Sequence, residues 1–293
     1  MESKFHPVSL QEQDEYNAFL SRTPRITSDY SFGNLWAWRN IYGLEWAREG
    51  ELVWIRQTLP RLMYWAPVGP WDRADWSRIL PELAWKNPVF TRIPEDLAQV
   101  WNTIPGMSLE SDPEHWDYIY SVPELIELKG NKFHKKKNLL RQFQKNYTAE
   151  YVHLDLGRIE QALTLQTEWC LWRECEESST LEKENQAILA TFLDWQSLED
   201  VFGGGLMIEG NMVAYTVAEP LDEQTLVIHF EKACPNYKGI YQAINQIFLE
   251  REGGAYHYVN REQDLGDSGL RQAKQSYNPV GYMKKHSGSL IAS

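Results

Sequence analysis

The most regular hydrophobic pattern lies in the last third of the chain. A hairpin is predicted over 203–219, with Gly210–Asn211 as its turn. The apolar run 225–232 predicts a buried strand, 237–250 has apolar side chains at helical spacing, and 256–262 predicts a second strand. Strand, helix and strand in this order form a βαβ unit, so the two strands should be parallel, with a right-handed crossover.

The remaining pattern predicts an α/β fold around this unit. A Glu49–Gly50 turn should join two strands into a second hairpin. Proline and glycine mark 123–130 as the joint between two halves, 1–125 and 126–293. Further helices are predicted at 11–21, 34–42, 75–86, 94–103, 131–147, 158–176, 181–198 and 266–277, and further strands at 44–48, 52–57, 62–66, 116–121 and 150–155.

Both predicted parallel strands change from apolar to charged residues at their carboxyl ends, where open parallel sheets bind ligands. The first strand ends in His229 and Glu231, which alternation places on one face. The second ends in Asn260, Arg261 and Glu262, with Arg261 facing away from the other two. One interpretation is a polar pocket in which a carboxylate activates a nucleophile and the arginine clamps a carboxylate or phosphate. The other is an internal salt bridge of Arg261 with either glutamate.

Two nearby helix starts carry further candidates for ligand binding. Lys238 and Gly239 precede the helix of the βαβ unit, where backbone N–H groups can accept an anion, although an ordinary turn fits equally well. Arg271, Lys274 and Tyr277 follow on the last helix. They could face one ligand or form a solvated helix face.

The net charge of −12 argues against general affinity for nucleic acid or anionic membranes. One segment is strongly basic despite the acidic net charge, because 129–145 contains seven Lys and Arg residues and no acid. Lys135, Lys136 and Lys137 at its centre are candidates for binding a polyanion such as tRNA, coenzyme A or a lipid head group. An exposed helix face that offsets the acidic remainder is the alternative.

Other features indicate a cytoplasmic protein. The sequence has no apolar run of about 18 residues that would predict a membrane span, and its start lacks the order of a signal peptide. Cys170, Cys175 and Cys234 are expected to be reduced thiols, with the first two pointing apart on a helix. No metal site is predicted.

Several segments together resemble one family of bacterial proteins. The block Asn260-Arg261-Glu262-Gln263-Asp264 is the most specific of them, and 28–36, 132–138, 231–233 and 269–274 extend the likeness over nearly the whole chain. They resemble the DUF2156 family, which is similar to the C-terminal catalytic part of phosphatidylglycerol lysyltransferases. That part is GNAT-like and akin to the FemABX aminoacyltransferases.

The resemblance implies two tandem GNAT-like halves with mixed sheets and the transfer of an acyl or aminoacyl group. The acceptor would be an amine or hydroxyl of a small molecule or lipid head group. Residues 235–240 keep one glycine of the coenzyme A pattern, which favours aminoacyl-tRNA over acyl-CoA as donor. A binding protein for an amino acid or nucleotide and an acetyl-CoA-dependent N-acetyltransferase remain alternatives. The sequence assigns no resident cofactor and no oligomeric state.

On this reading the site residues fall into three groups. Glu231 would orient the attacking amine, supported by Asn260 and Glu262. The donor or substrate would be held by Arg261, Lys238, Gly239, His229, Arg271, Lys274 and Tyr277, and a polyanion by Lys135, Lys136 and Lys137.

Overall fold

The computed structural model describes residues 2–83 and 85–291. Met1, Ala84 and residues 292–293 lie outside the described residues, and Ala84 falls within the helix predicted at 75–86. No helix of the described ranges is both long and apolar enough to cross a membrane.

The described residues form fourteen strands and ten α-helices. The strands are β1 (His6–Pro7), β2 (Leu44–Glu49), β3 (Leu52–Gln57), β4 (Met63–Trp65), β5 (Val89–Pro94), β6 (Met107–Ser111), β7 (Asp117–Ser121), β8 (Glu150–His153), β9 (Phe202–Ile208), β10 (Asn211–Pro220), β11 (Thr225–Ala233), β12 (Tyr258–Asn260), β13 (Gly281–Met283) and β14 (Lys285–Leu290). The helices are α1 (Gln13–Leu20), α2 (Phe32–Tyr42), α3 (Trp76–Glu82), α4 (Glu95–Trp101), α5 (Val122–Glu127), α6 (His134–Asn146), α7 (Leu156–Arg173), α8 (Ser179–Leu193), α9 (Ile240–Glu252) and α10 (Ser268–Gln275).

The strands form two seven-stranded mixed sheets. The first has the order β1-β2-β3-β4-β5-β14-β6 and the second the order β13-β7-β12-β11-β10-β9-β8. The pairs β4–β5 and β11–β12 are parallel. The predicted α/β class with mixed sheets is confirmed.

The chain divides into two compact units that are not contiguous in sequence. The first unit comprises residues up to Asp117, Gln263–Gly266 and residues from Tyr282 on, and the second comprises Tyr118–Glu262 and Asp267–Gly281. The last strand belongs to the first unit because β14 pairs with β5 and β6. The predicted division into 1–125 and 126–293 stays a prediction about the two halves of the sequence.

Tryptophans fill one face of the first sheet. Trp54 of β3 packs its ring against Trp76 of α3 at 6.1 Å, Trp85 at 5.1 Å and Trp101 of α4 at 6.4 Å between ring centroids. Edge-on and stacked ring contacts of this kind add to the area that aromatic residues bury. This packing accounts for part of the unusually large number of tryptophans, thirteen in the whole chain.

Helices cover both faces of the second sheet. Glu231 of β11 accepts a hydrogen bond from Asn245 of α9, whereas the next residue, Lys232, pairs with Glu184 of α8 and lies 4.0 Å from the ring centre of Trp169 on α7. Since neighbouring strand residues point to opposite faces, α9 lies on one face and α7 and α8 on the other. The site described below lies on the α9 face.

Several element boundaries differ from the prediction for local reasons. The β9–β10 turn is Glu209–Gly210, with φ of 52° and 81°, so Asn211 already pairs in β10. Helix α9 begins at Ile240 because Gly239 has φ 87°. Strands β5, β6 and β14 were not predicted: β6 is largely exposed, and β14 is rich in serine and glycine.

The prediction of three reduced cysteines is wrong, because Cys170 and Cys175 form a disulfide. Helix α7 ends at Arg173, and Glu174 has a left-handed backbone with φ 51°. Cys175 therefore lies outside the helix and turns back toward Cys170, with 5.0 Å between the Cα atoms. Cys234 is a buried thiol.

Candidate functional site

The two parallel strands of the second unit stop pairing where their charged residues begin. β11 pairs with β12 at Thr225↔Tyr258, Leu226↔Val259 and Val227↔Asn260. β12 then ends, whereas β11 continues to Ala233. The predicted parallel pairing is confirmed. Beyond Val227, β11 no longer pairs with β12, so the two strands separate at their carboxyl ends.

A tight turn follows β12 and sets the direction of its charged side chains. Asn260 is fully buried, and its Oδ1 accepts a hydrogen bond from the backbone N–H of Glu262 at 2.8 Å. Glu262 has φ 56°, and the N–H of Arg261 donates to the carbonyl of Tyr118 at 3.0 Å. An Asn side chain that bonds two residues ahead stabilises such turns.

The turn brings the side chain of Arg261 to Glu231. Its Nη2 lies 2.8 Å from Glu231 Oε1, and Asn245 Nδ2 donates to Glu231 Oε2 at 3.3 Å. The side chains of Arg261 and Glu231 are 15% and 8% exposed. Of the two interpretations drawn from the sequence, the internal salt bridge is present.

Tyrosine rings enclose the ion pair. The Arg261 guanidinium carbon lies 4.9 Å from the ring centre of Tyr277 and 5.8 Å from that of Tyr120. Gln242 Nε2 donates to the Tyr277 hydroxyl at 3.1 Å. Burial raises the pKa of Tyr277 to about 12, although the charge of Arg261 opposes this, so the hydroxyl keeps its proton at neutral pH.

Helix α6 contributes one of its lysines to this cluster. Lys136 Nζ lies 3.8 Å from the ring centre of Tyr277, whereas Lys135 is exposed and Lys137 is half-buried. Burial, followed by the charge of Arg261, lowers the pKa of Lys136 to about 8. We call Glu231, Arg261, Tyr277 and Lys136 the Arg261 cluster.

His229 lies between two carboxylates rather than in an open pocket. Its Nδ1 is 2.7 Å from Glu262 Oε1 and its Nε2 is 2.8 Å from Glu219 Oε1. The β10–β11 register passes from Val217↔Phe230 to Ala218↔Ile228, so His229 is the extra residue of a β-bulge. Burial opposes the charge of His229, but the hydrogen bonds and charges of both glutamates outweigh it and raise the pKa to about 10.

This arrangement makes the stability of the second unit depend on pH. The folded pKa of His229, about 10, exceeds its ordinary value of 6.5, so its contribution is full below pH 6.5 and is lost as the pH rises through 10. We expect the difference in thermal unfolding midpoint between the wild type and a His229→Gln variant to shrink between pH 7 and pH 10.5. A difference that stays constant over this range would contradict the charged state of His229.

Of the other predicted residues, Lys274 and Gly239 have structural roles. Lys274 Nζ donates to the backbone carbonyls of Arg261 and Glu262, so it holds the turn after β12. Arg271 is half-buried one turn earlier on α10, and Lys238 is exposed. A Cβ at Gly239 would collide with the carbonyl oxygen of Leu139 in α6, which explains the glycine by close packing as well as by its positive φ.

Three contacts of the site were not predicted from the sequence. Glu219, Gln242 and Asn245 all bond to predicted site residues. Asn245 is 1% exposed within the apolar stripe of α9, and Glu219, 3% exposed, ends an otherwise apolar strand segment. A polar residue in an apolar segment is the signal that could have identified them, because buried polar groups need partners.

The fold and site define a class of protein. The chain is similar in fold to a tandem GNAT protein from the clavulanic acid biosynthesis pathway, with 8% identity, 99% coverage of both chains and a TM-score of 0.51. It is likewise similar to L-PGS from Bacillus licheniformis, with 14% identity over 96% of this chain and 92% of that chain and a TM-score of 0.64. The predicted tandem GNAT-like fold is confirmed.

Residues 21–286 match the family described as phosphatidylglycerol lysyltransferase, C-terminal, and the chain belongs to this family. Lysyl transfer is an aminoacyl transfer, so the family is one of transferases. The family resemblance predicted from the sequence is confirmed.

A closer structural relative is a conserved protein of unknown function from Bacteroides thetaiotaomicron. It is 31% identical over 98% of this chain and 99% of that chain, with a TM-score of 0.90. An uncharacterized protein from Mycoplasmoides gallisepticum is 23% identical over 178 residues, 58% of this chain and 54% of that protein. The chain thus spans about half the length of the curated relative that it matches.

Proposed function

We propose that the chain transfers an aminoacyl group from aminoacyl-tRNA to a hydroxyl or amine acceptor, a lipid head group or a small molecule, at the Arg261 cluster. The observation that carries the proposal is the largely buried Glu231–Arg261 pair, which lies where β11 and β12 part. Arg261 shares the ring of Tyr277 with Lys136 of the basic helix α6. Membership of a lysyltransferase family supports the same reaction class.

The reaction balances without an oxidant or reductant. The acceptor oxygen or nitrogen attacks the carbonyl carbon of the aminoacyl ester and forms a new ester or amide bond. The bond between that carbon and the ribose oxygen of the tRNA breaks, and the proton of the acceptor ends on the ribose oxygen. Catalysis therefore needs a group that orients the acceptor and groups that stabilise the developing negative charge.

The Arg261 cluster offers both kinds of group. Glu231 would accept a hydrogen bond from the acceptor and orient it for attack. Arg261 and the Tyr277 hydroxyl would donate to the oxyanion or to a phosphate, since a guanidinium forms strong two-toothed contacts with such groups. Lys136, with its pKa lowered to about 8, is a second cation within this cluster.

Positioning of the cluster would fall to residues that contact it without reaching the reacting atoms. Asn260 shapes the turn that contains Arg261 and Glu262, and Lys274 holds the carbonyls of these two residues. Glu262 and His229 form the buried ion pair beside that turn. The supporting roles predicted for Asn260 and Glu262 are therefore proposed as positioning roles.

The donor is tested by tRNA binding. Changing Lys135, Lys136 and Lys137 together to alanine should weaken binding of tRNA by about tenfold or more at low salt, because each lysine neutralises a phosphate and releases counterions. The slope of log affinity against log salt should also decrease by about 2–3. Both quantities follow from fluorescence anisotropy titrations with labelled tRNA.

A matched variant separates a local contact from a general loss of charge. Lys4, Lys86 and Lys183 are exposed and lie outside α6, so changing these three to alanine alters the net charge equally and should leave tRNA binding within about twofold. Equal effects of the two triple variants would show that α6 does not bind tRNA.

One observation favours a second function, the binding of an amino acid or nucleotide without turnover. Both carboxylate oxygens of Glu231 already have partners, Arg261 Nη2 and Asn245 Nδ2. A carboxylate with both oxygens bonded in this way can hold the shape of a binding site without taking part in a reaction. Tight ligand binding with no product in a transfer assay would favour this function.

A further inference from the structure

The first unit contains a cavity of about 600 Å³ on one face of its sheet. Residues that are paired across neighbouring strands point to the same face of a sheet. The floor of the cavity therefore lies on a single face, since the pairs are Gln57 with Met63, Val89 with Ser289, and Ser289 with Ser108. The tryptophan cluster around Trp54 covers the opposite face, since Trp54 and Gln57 are an odd number of residues apart on β3. The volume is typical of a site for a small molecule.

The floor of the cavity carries polar side chains, of which Ser108 is exposed and Ser287 and Ser289 are half-buried. Ser108, Ser287 and Ser289 contribute hydroxyl groups, and Gln57 contributes an amide. These groups belong to four of the residues that line the cavity; Thr91, Tyr42, Glu110, Asp112 and His115 line it as well. The amide of Gln57 already donates to the carbonyl of Leu59 and accepts from Trp65 and Arg92. The serine hydroxyls can donate and accept hydrogen bonds, so they suit a hydroxylated ligand.

Arg92 is brought into the cavity by an irregularity of β5. The β5–β14 register passes from Ile93↔His286 to Phe90↔Gly288, which leaves one extra residue on β5, and Arg92 has φ 54°. A β-bulge redirects side chains, and a strained backbone in a non-glycine residue is frequent at functional sites. Arg92 is 7% exposed and lines the cavity.

The guanidinium of Arg92 has donors left for a ligand. Within residues 2–83 and 85–291 it makes two hydrogen bonds, from Nε to Asp29 at 2.8 Å and from Nη1 to Gln57 at 3.3 Å. A guanidinium has five N–H donors. Its carbon lies 4.3 Å from the ring centre of Trp65 and 5.1 Å from that of Tyr42, so the aromatic rings hold the plane of the group in place.

The buried charges around Arg92 balance one another. Lys285 pairs with both Asp29 and Asp117, so two cations face two carboxylates beneath the cavity. Asp112 has His115 at 2.9 Å as its own partner. Arg61 and Glu110, both exposed at the cavity wall, add one charge of each sign, and neither is in an ion pair of the described residues.

We propose that this cavity binds a hydroxylated organic anion of about the size of a sugar phosphate or sugar acid. Arg92 and Arg61 would hold its phosphate or carboxylate by charge-assisted hydrogen bonds. The serine hydroxyls would bind its hydroxyl groups, and Glu110 would accept from them. The site lies within the first unit and does not depend on the proposed aminoacyl transfer in the second.

Three probes with a common six-carbon skeleton test the ligand class on the full chain: glucose 6-phosphate, gluconate and glucose. By isothermal titration calorimetry, at least one anion should bind about tenfold or more tightly than glucose. Preference for glucose 6-phosphate would identify a phosphate ligand, and preference for gluconate a carboxylate ligand. Binding of neither anion, or equal binding of glucose, would overturn the proposal.

Variants of residues that line the cavity test whether the anion binds there. Arg61→Gln should weaken the anion that binds best by about tenfold, and Ser289→Asp, which adds a negative charge to the cavity floor, should abolish its binding. Arg78 is exposed on α3, whose Trp76 packs on Trp54 of the opposite sheet face, so Arg78→Gln should leave binding unchanged. Circular dichroism would establish that each variant is folded. Unaltered binding in both cavity variants would overturn the assignment to this cavity.

Discussion

Replacing Glu231 with glutamine should lower the rate of aminoacyl transfer by about 10²–10⁴-fold, the usual contribution of a positioned acid or base. The change removes the carboxylate that faces Arg261 at 2.8 Å while keeping the side-chain volume. A neutral amide would orient the acceptor less strongly and leave the arginine charge uncompensated. The rate is measured as transfer of labelled amino acid from charged tRNA at saturating enzyme.

An ion pair on the other face of β11 supplies the control. Glu184 pairs with Lys232 at 2.7 Å, and their side chains are 27% and 7% exposed. Glu184→Gln therefore perturbs a carboxylate–cation pair on β11 away from the Arg261 cluster, and transfer should stay within about threefold of the wild type, as expected for a site remote from the chemistry. Full activity of Glu231→Gln, or an equal loss in both variants, would remove Glu231 from the mechanism.

Replacing Lys285 with methionine should lower the free energy of unfolding of the first unit by about 3–5 kcal/mol, the cost of removing one partner of a buried ion pair. Lys285 is fully buried, and its ammonium pairs with Asp29 and with Asp117. Methionine fills a similar volume but leaves both carboxylates short of a cation. Denaturant unfolding followed by tryptophan fluorescence measures the change.

The neighbouring residue is a matched control. Lys284 pairs with Glu95 at 2.9 Å, with side chains 42% and 35% exposed. Because an exposed ion pair contributes about 0–1 kcal/mol, Lys284→Met should be nearly neutral. Similar losses in the two variants would show that the buried pairs of Lys285 do not carry the stability of this unit.

The stability that the Lys285–Asp29 ion pair contributes should depend on pH in a definite direction. Burial raises the pKa of Asp29, but the charges of Lys285 and Arg92 outweigh burial and hold that pKa well below its usual value of 3.8. The contribution of Asp29 is therefore present above pH 3.8 and is lost as the pH falls below it. The difference in free energy of unfolding between the wild type and Lys285→Met should therefore decrease as the pH falls below 3.8.

The βαβ unit of the second half could be predicted because its elements have clear periods. Residues 226–228 near the start of β11 form an apolar run and α9 has an apolar stripe, and these patterns indicated a strand and a helix. The strand–helix–strand order then predicted that β11 and β12 are parallel. The charges at the strand ends also identified the location of the candidate site, since Glu231 and Arg261 stand where apolar residues would continue the strands.

The geometry of that site could not be read from strand alternation. His229 is the extra residue of a bulge, and Arg261 lies in a turn that Asn260 stabilises, so neither side chain follows the period of two. The pairing of β14 with β5 joins segments almost 200 residues apart, and no local pattern specifies such a contact. The Cys170–Cys175 disulfide depends on the left-handed residue Glu174, which the helical period conceals.

The most direct test of the central claim is a transfer assay with the full wild-type chain. tRNAs charged with radiolabelled amino acids would be incubated with glycerophospholipid vesicles or with a panel of amines, and tRNA-bound label and acceptor-bound label would be followed together. We predict that one charged tRNA loses its label to one acceptor in equal amounts, and that the rate depends on enzyme concentration. Label that leaves every charged tRNA only at the rate of spontaneous hydrolysis would contradict aminoacyl transfer as the function of this protein.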